Sequence, residues 1–125
     1  DALAERPLSA RALYQKMSHS QVKLQIVDVR ENLSDFEDSH IPGAIPFPNC
    51  DLAKTPELAK VEILDFLPTV IISANGEDES FARCLSYFKV RQNLAGGLSS
   101  WSEVHLPEDS GEYRPPKVAG GGGCL

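Results

Sequence analysis

The chain has 125 residues, 42% of them hydrophobic, and 12 basic against 18 acidic side chains give a formal net charge of -6. That length and apolar content suit one core rather than two domains. A surface of this sign repels nucleic acid and anionic membranes, so neither is expected as a partner. No apolar run approaches the roughly 20 residues that cross a bilayer, and DALAERP at the start does not read as a signal peptide.

Asp1 rather than Met opens the chain, which reads as an excised domain or a processed product. Cys50, Cys84 and Cys124 are far apart, with no pair at metal-ligand spacing, and an odd count cannot close a complete disulfide set. A reducing, cytoplasmic setting is the simpler expectation, with the periplasm as the alternative. His19, His40 and His105 are equally scattered, so no metal site and no cofactor is expected.

Pro7 and Ser9 look like a helix start, and Ala10, Leu13, Tyr14 and Met17 follow at helical spacing as one apolar stripe. Leu24 to Val29 reads as a buried parallel strand, with Asp28 and Arg30 emerging at its carboxyl end, where they could pair and tie down a loop. Pro42 and Gly43 mark a turn before a short strand around Ala44 to Phe47. His40 precedes that turn and is expected to cap it, because no neighbouring residue offers it a nucleophile to activate.

Pro56 to Leu67 carries Leu58, Val61, Ile63, Leu64 and Leu67, which predicts a helix ended by Pro68. Val70 to Ile72 form the next buried strand. After it comes ANGEDE, residues 74 to 79, in which three of six side chains are acidic. Phe81, Cys84, Leu85 and Phe88 then recur at helical spacing and turn Cys84 into the core, where a free cysteine is inert. Val90 to Leu94 suggests a last strand, Gly96 and Gly97 a turn, and Leu98 to Val104 a short helix with the single Trp101. Strands alternating with helices argue for a mainly parallel sheet of about five strands, covered on both faces. From Pro107 onward the Pro, Gly and charged content lacks periodicity, so residues 1–106 are expected to form the domain and 107–125 a flexible tail.

Several of these residues occur together in a specific combination: IVDVRE at Ile26 to Glu31, Phe36 in an acidic spacer, HIPGAI at His40 to Ile45, and LAGGLSSW at Leu94 to Trp101. Together they resemble a single-domain rhodanese, the sulfurtransferase-like α/β domain, over about residues 8 to 105. The resemblance implies a structural role for Asp28, Arg30, His40, Gly43, Gly97 and Trp101. It also implies a nucleophilic Cys at the end of the strand after the central helix, which takes a sulfane sulfur as a persulfide and passes it to a thiophilic acceptor. In that family the amides of the following loop and helix start stabilise the thiolate and hold the anionic substrate.

Aligning Ser80 with the small residue that opens the family's helix puts Ala74 where the Cys belongs, and Asn75, Gly76, Glu77, Asp78, Glu79 and Ser80 where the active-site loop runs. Glu77, Asp78 and Glu79 stand at the favourable end of the helix dipole, each contributing roughly 0.3 to 1 kcal/mol. Glu79 can also pair with Arg83. An arriving thiosulfate or phosphate would meet like charges within a Debye length of about 8 Å. Ser73 is not expected to substitute, since strand alternation aims it away and no base adjoins it. Cys124, behind four glycines, could instead carry sulfur on a flexible arm.

Two main readings follow. In one the domain lacks sulfurtransferase activity and contacts a protein partner or another domain. In the other it is a sulfurtransferase whose natural gene encodes Cys at position 74. A sulfur relay through Cys124, serving a sulfur donor and acceptor, is a third.

Overall fold

The computed structural model describes residues 7–19 and 24–115. The first helix, α1 (Ala10–His19), starts where expected, with the Ser9 hydroxyl accepting from the Ala12 N–H at 3.1 Å. There follow β1 (Gln25–Asp28), α2 (Leu33–Asp38) and β2 (Ile45–Pro46), then two 3₁₀ turns (Pro48–Cys50 and Leu52–Lys54). The chain continues through α3 (Glu57–Lys60), β3 (Thr69–Ile72), α4 (Glu79–Ala82), β4 (Arg91–Asn93) and α5 (Gly97–Glu103).

The strands form one sheet in the order β2-β1-β3-β4, and every pairing is parallel. Among the described residues four strands stand where about five were expected. The edge is extended by a single parallel bridge between Leu8 and Leu94, in which the Leu8 N–H donates to Asn93 O at 2.9 Å. Pro7 has no N–H to add to that ladder, and Ser9 already opens α1, so the pairing stops at one residue.

Side chains alternate along the strands, as a pleated sheet covered on both faces requires. Ile26, Val70 and Ile72 pack on one side with Leu13, Phe36, Leu94 and Trp101. Val27, Val29 and Ile71 pack on the other with Phe47, Ile63, Cys84 and Phe88. The short runs of Val and Ile thus supply both cores at once.

Two predicted helices come out shorter. Between Pro56 and Leu67 only Glu57–Lys60 is helical, and Leu58 and Val61 are exposed. The reason is tertiary: the Leu64 N–H donates to the Gln25 side-chain oxygen at 2.9 Å, and the Gln25 amide donates to Leu64 O at 2.8 Å. These bonds draw the backbone of Leu64 onto the sheet instead of into a helical ladder. After the site loop, α4 is a single turn followed by i→i−3 turns, with Cys84 N bonded to Phe81 O and Tyr87 N to Cys84 O. The inward face is as predicted, with Cys84 and Phe88 buried.

Cys84 is not a free thiol, however. It is disulfide-bonded to Cys50, 34 residues away in sequence, with a Cα–Cα distance of 5.5 Å. An odd cysteine count and wide spacing pointed away from a disulfide, but folding brings the turn after β2 against the segment after α4.

Of the segment expected to be a tail, residues 107–115 make contacts with the domain. Trp101 Nε1 donates to Pro107 O at 2.8 Å, His40 and Asp109 exchange backbone hydrogen bonds, and the Gly111 N–H donates to Glu37 O at 2.7 Å. Residues 116–125, Cys124 among them, lie outside the described residues.

Candidate functional site

The sheet order places the site. The connection from β1 leads to β2 on one side, whereas that from β3 leads to β4 on the other, so the carboxyl ends of β1 and β3 flank the point where the winding reverses. Open parallel sheets form their binding crevices there. The segments leaving these two strands carry Asp28 and Arg30 on one side and residues 73–80 on the other.

At the end of β1 the two charges are paired with each other. Arg30 Nη2 lies 2.8 Å from Asp28 Oδ2, and its Nε lies 3.0 Å from Oδ1. Nη2 also donates to Ser39 O at 2.7 Å. The Asp28 side chain is 1% exposed and that of Arg30 10%, so this bidentate pair braces α2 and the turn after it. His40 stacks on Phe36 with ring centroids 3.8 Å apart. Its Nδ1 lies 2.7 Å from Phe36 O; because a carbonyl only accepts, that nitrogen carries the proton. His40 thus locks the end of α2, and Gly43, at φ +85°, makes the turn into β2.

At the end of β3 the loop answers its own amides. The Ala74 N–H donates to Asp78 Oδ2 at 3.1 Å, and the Phe81 N–H to Asp78 Oδ1 at 3.2 Å. The Gly76 N–H donates to Ser73 Oγ at 2.9 Å, and the Glu77 N–H to Asn75 Oδ1 at 2.8 Å. Ser73 is buried and serves this turn. Ser80 Oγ donates to Asn49 Oδ1 at 2.7 Å, and Arg83 pairs with Glu79 at 2.9 Å on the exposed side.

Two glycines let the loop sit close to α5. A Cβ on Gly76 would come within 2.8 Å of Leu94 O, and Gly76 O accepts from the Asn93 side chain at 2.9 Å. A Cβ on Gly97, at φ +62°, would lie 2.4 Å from Ser73 O. With no side chain there, the Leu98 N–H reaches Ser73 O at 2.8 Å and the Ser99 N–H reaches Ala74 O at 3.2 Å.

The result is an open cleft of about 540 Å³ beside exposed Ala74, with Arg30, Asp35, Leu98, Ser99 and Glu103 around it. An adjoining recess of about 280 Å³ is lined by Glu31, Asp35, Asp78 and Glu79. Carboxylates dominate this rim, because the Arg30 charge is already matched by Asp28. Among the described residues no cluster of His, Cys, Asp and Glu could hold a metal ion, and no helix is long and apolar enough to cross a membrane.

The rhodanese-like domain family model matches residues 9–104, which contain every element from α1 to α5. The chain belongs to this family. No curated protein matches it significantly. Among solved structures, this rhodanese-like domain is similar to the Alr3790 protein from Anabaena sp., at 24% identity and a TM-score of 0.67, with 83% of this chain and 92% of that one covered. A rhodanese-related protein from Thermoplasma volcanium follows at 23% identity and a TM-score of 0.62, with 83% and 97% covered. Thiosulfate sulfurtransferase from Pseudomonas aeruginosa is 17% identical at a TM-score of 0.63, over 86% of this chain and 20% of that one. At these identities the likenesses concern the fold.

The folded rhodanese-like domain brings the end of β1, with Asp28 and Arg30, next to the loop 74–80. His40 and Trp101 instead contact the C-terminal segment, and Trp101 is buried. Asn49, Asn93 and Cys50 were missed as neighbours of the loop; they follow or form other strands, and nothing in their spacing marks them. The contact of Asp78 with Ala74 was half legible, since an Asp ahead of a helical pattern is a cap signal.

Proposed function

We propose that this domain is a protein-binding or regulatory module without sulfurtransferase activity at position 74. By the resemblance, Ala74 stands where the family's nucleophilic Cys would be. A persulfide needs a thiolate to attack the donor's sulfur, and a methyl group has no electron pair to do so. The observation that carries the reading is the placement of Asp78, whose carboxylate accepts from both Ala74 N–H and Phe81 N–H. Two amides that would otherwise be open to an anionic substrate are thus satisfied from within. Carboxylates on the rim, Glu31, Asp35, Glu79 and Glu103, favour a partner that presents a basic segment.

The test is a thiosulfate and cyanide assay at saturating concentrations, followed as thiocyanate released. No turnover above background is expected from the chain or from Cys124→Ser. Turnover that survives Cys124→Ser would overturn the reading.

The scaffold around position 74 favours a second reading. The α5 amides hold the carbonyls of Ser73 and Ala74, so the backbone at position 74 is fixed, and the domain would be a sulfurtransferase if the gene encodes Cys there. The gene sequence decides between the two. Where the gene reads Ala, an Ala74→Cys protein that forms no persulfide on exposure to thiosulfate shows that the acidic loop alone blocks the chemistry.

A further inference from the structure

The Cys50–Cys84 disulfide joins the turn after β2 to the segment that carries the site loop. Cys84 is fully buried among Val27, Ile71 and Phe88, whereas Cys50 is half-buried. Asn49 and Cys50 both have φ +53°. Two consecutive non-glycine residues in the left-handed region are disfavoured, and such backbone persists where its surroundings over-determine it. Here the holding contacts are the disulfide, the Ser80 hydroxyl on Asn49 Oδ1, and two backbone bonds, the Asn49 N–H on Val29 O at 3.0 Å and the Cys50 N–H on Phe47 O at 2.9 Å. The first two lead into the same short segment, residues 80–84. The helix turn that opens that segment, α4, is capped by Asp78, whose carboxylate also accepts from the Ala74 N–H and so closes the loop.

Cys84 also has a partner waiting in the other redox state. Its sulfur lies 3.4 Å from Ser80 O. A disulfide sulfur has no proton to donate, but a thiol at the same place would find this carbonyl as its acceptor, so reduction strands no buried donor.

We propose that the Cys50–Cys84 bond is a redox-operated latch that holds the loop 74–80 closed, and that a dithiol reductant releases it. The attacking thiolate forms a bond to Cys50 Sγ, the S–S bond breaks, and its electron pair leaves on Cys84 sulfur, which takes up a proton. The second thiol of the reductant displaces Cys50 as a thiol and closes the reductant's own disulfide. Two electrons and two protons pass from the dithiol to the cysteine pair. With the tether gone, Asn49 and Cys50 relax from their left-handed backbone, Ser80 loses its acceptor, and Asp78 no longer holds Ala74. The latch is independent of what the cleft binds.

The test uses the full chain with Cys124→Ser, so that thiol titration counts only this pair, and amide hydrogen exchange before and after dithiothreitol. Exchange at Ala74 and Phe81 is expected to speed up by about tenfold or more on reduction, to recover on reoxidation, and to leave β1 and β3 protected. Equal protection of Ala74 and Phe81 in both states overturns the latch. So does a loss of protection spread evenly over the sheet, which marks a plain structural staple. A Cys50→Ala, Cys84→Val variant provides the second arm: it should fold, show the fast loop exchange without reductant, and not respond to dithiothreitol. Failure of that variant to fold, or a slow loop in it, also counts against the latch.

Discussion

At the carboxyl end of β1, Asp28 and Arg30 hold each other in a bidentate pair, and Ser39 O takes a further bond from the guanidinium. At the end of the neighbouring β3, Glu77 and Glu79 are exposed, and Asp78 turns back to bind the loop's own amides. Both segments border the same cleft, yet one is a brace made from opposite charges and the other a surplus of one sign. A buried charge must be paired, so the brace tolerates little change. An exposed carboxylate is solvated, so the loop has room to vary and to carry whatever function the domain performs.

The contrast can be broken most severely at the brace. Arg30→Ala leaves the Asp28 carboxylate buried with only a backbone N–H against it, at 3.2 Å. The expected loss is about 3 kcal/mol in urea unfolding, and a loss well under that figure would mean the pair is not a brace. At the seam between loop and α5, Gly97→Ala sets a Cβ against Ser73 O and the Ala74 carbonyl, backbone atoms with little freedom to move, at a left-handed φ. About 2 kcal/mol or more should be lost by the same measurement. A well-folded variant with unchanged stability would show that the loop and α5 need not touch.

The smallest effect lies beyond the brace, at Tyr113, which lines a recess with His40 and Gly43. Its hydroxyl is buried without a hydrogen-bond partner among the described residues, and its pKa is raised from 10.0 first by burial and then by the Glu62 carboxylate. The folded protein therefore favours the neutral phenol. The stability this contributes is fully present below the ordinary tyrosine pKa and is lost as pH rises through the higher folded value. Tyr113→Phe is expected to change stability at neutral pH by less than about 0.5 kcal/mol and to unfold less readily than the parent in alkali. Identical alkaline unfolding of the two proteins would count against this assignment.

Much of this arrangement was legible in the residues. Ser9 capping α1, the Glu79 and Arg83 pair, the Asp28 and Arg30 pair and the inward face of Cys84 and Phe88 all depend on neighbours within a few positions, where spacing alone decides which groups meet. The Val and Ile runs likewise announced a sheet covered on both faces. The predicted helix over Pro56 to Leu67 failed for the opposite reason, since the Gln25 side chain, distant in sequence, claims the backbone of Leu64.

The amino-acid sequence by itself determined the family, the periodicity of the strands, and the presence of Ala and three carboxylates in the loop after β3. Tertiary structure decided which groups those carboxylates meet. It turned Asp78 onto the Ala74 amide, set Ser80 against Asn49, and joined Cys50 to Cys84 across 34 residues. Local spacing carries no information about such contacts, because they exist only once parallel strands, linked by crossovers, have brought separate loops to one edge of the sheet.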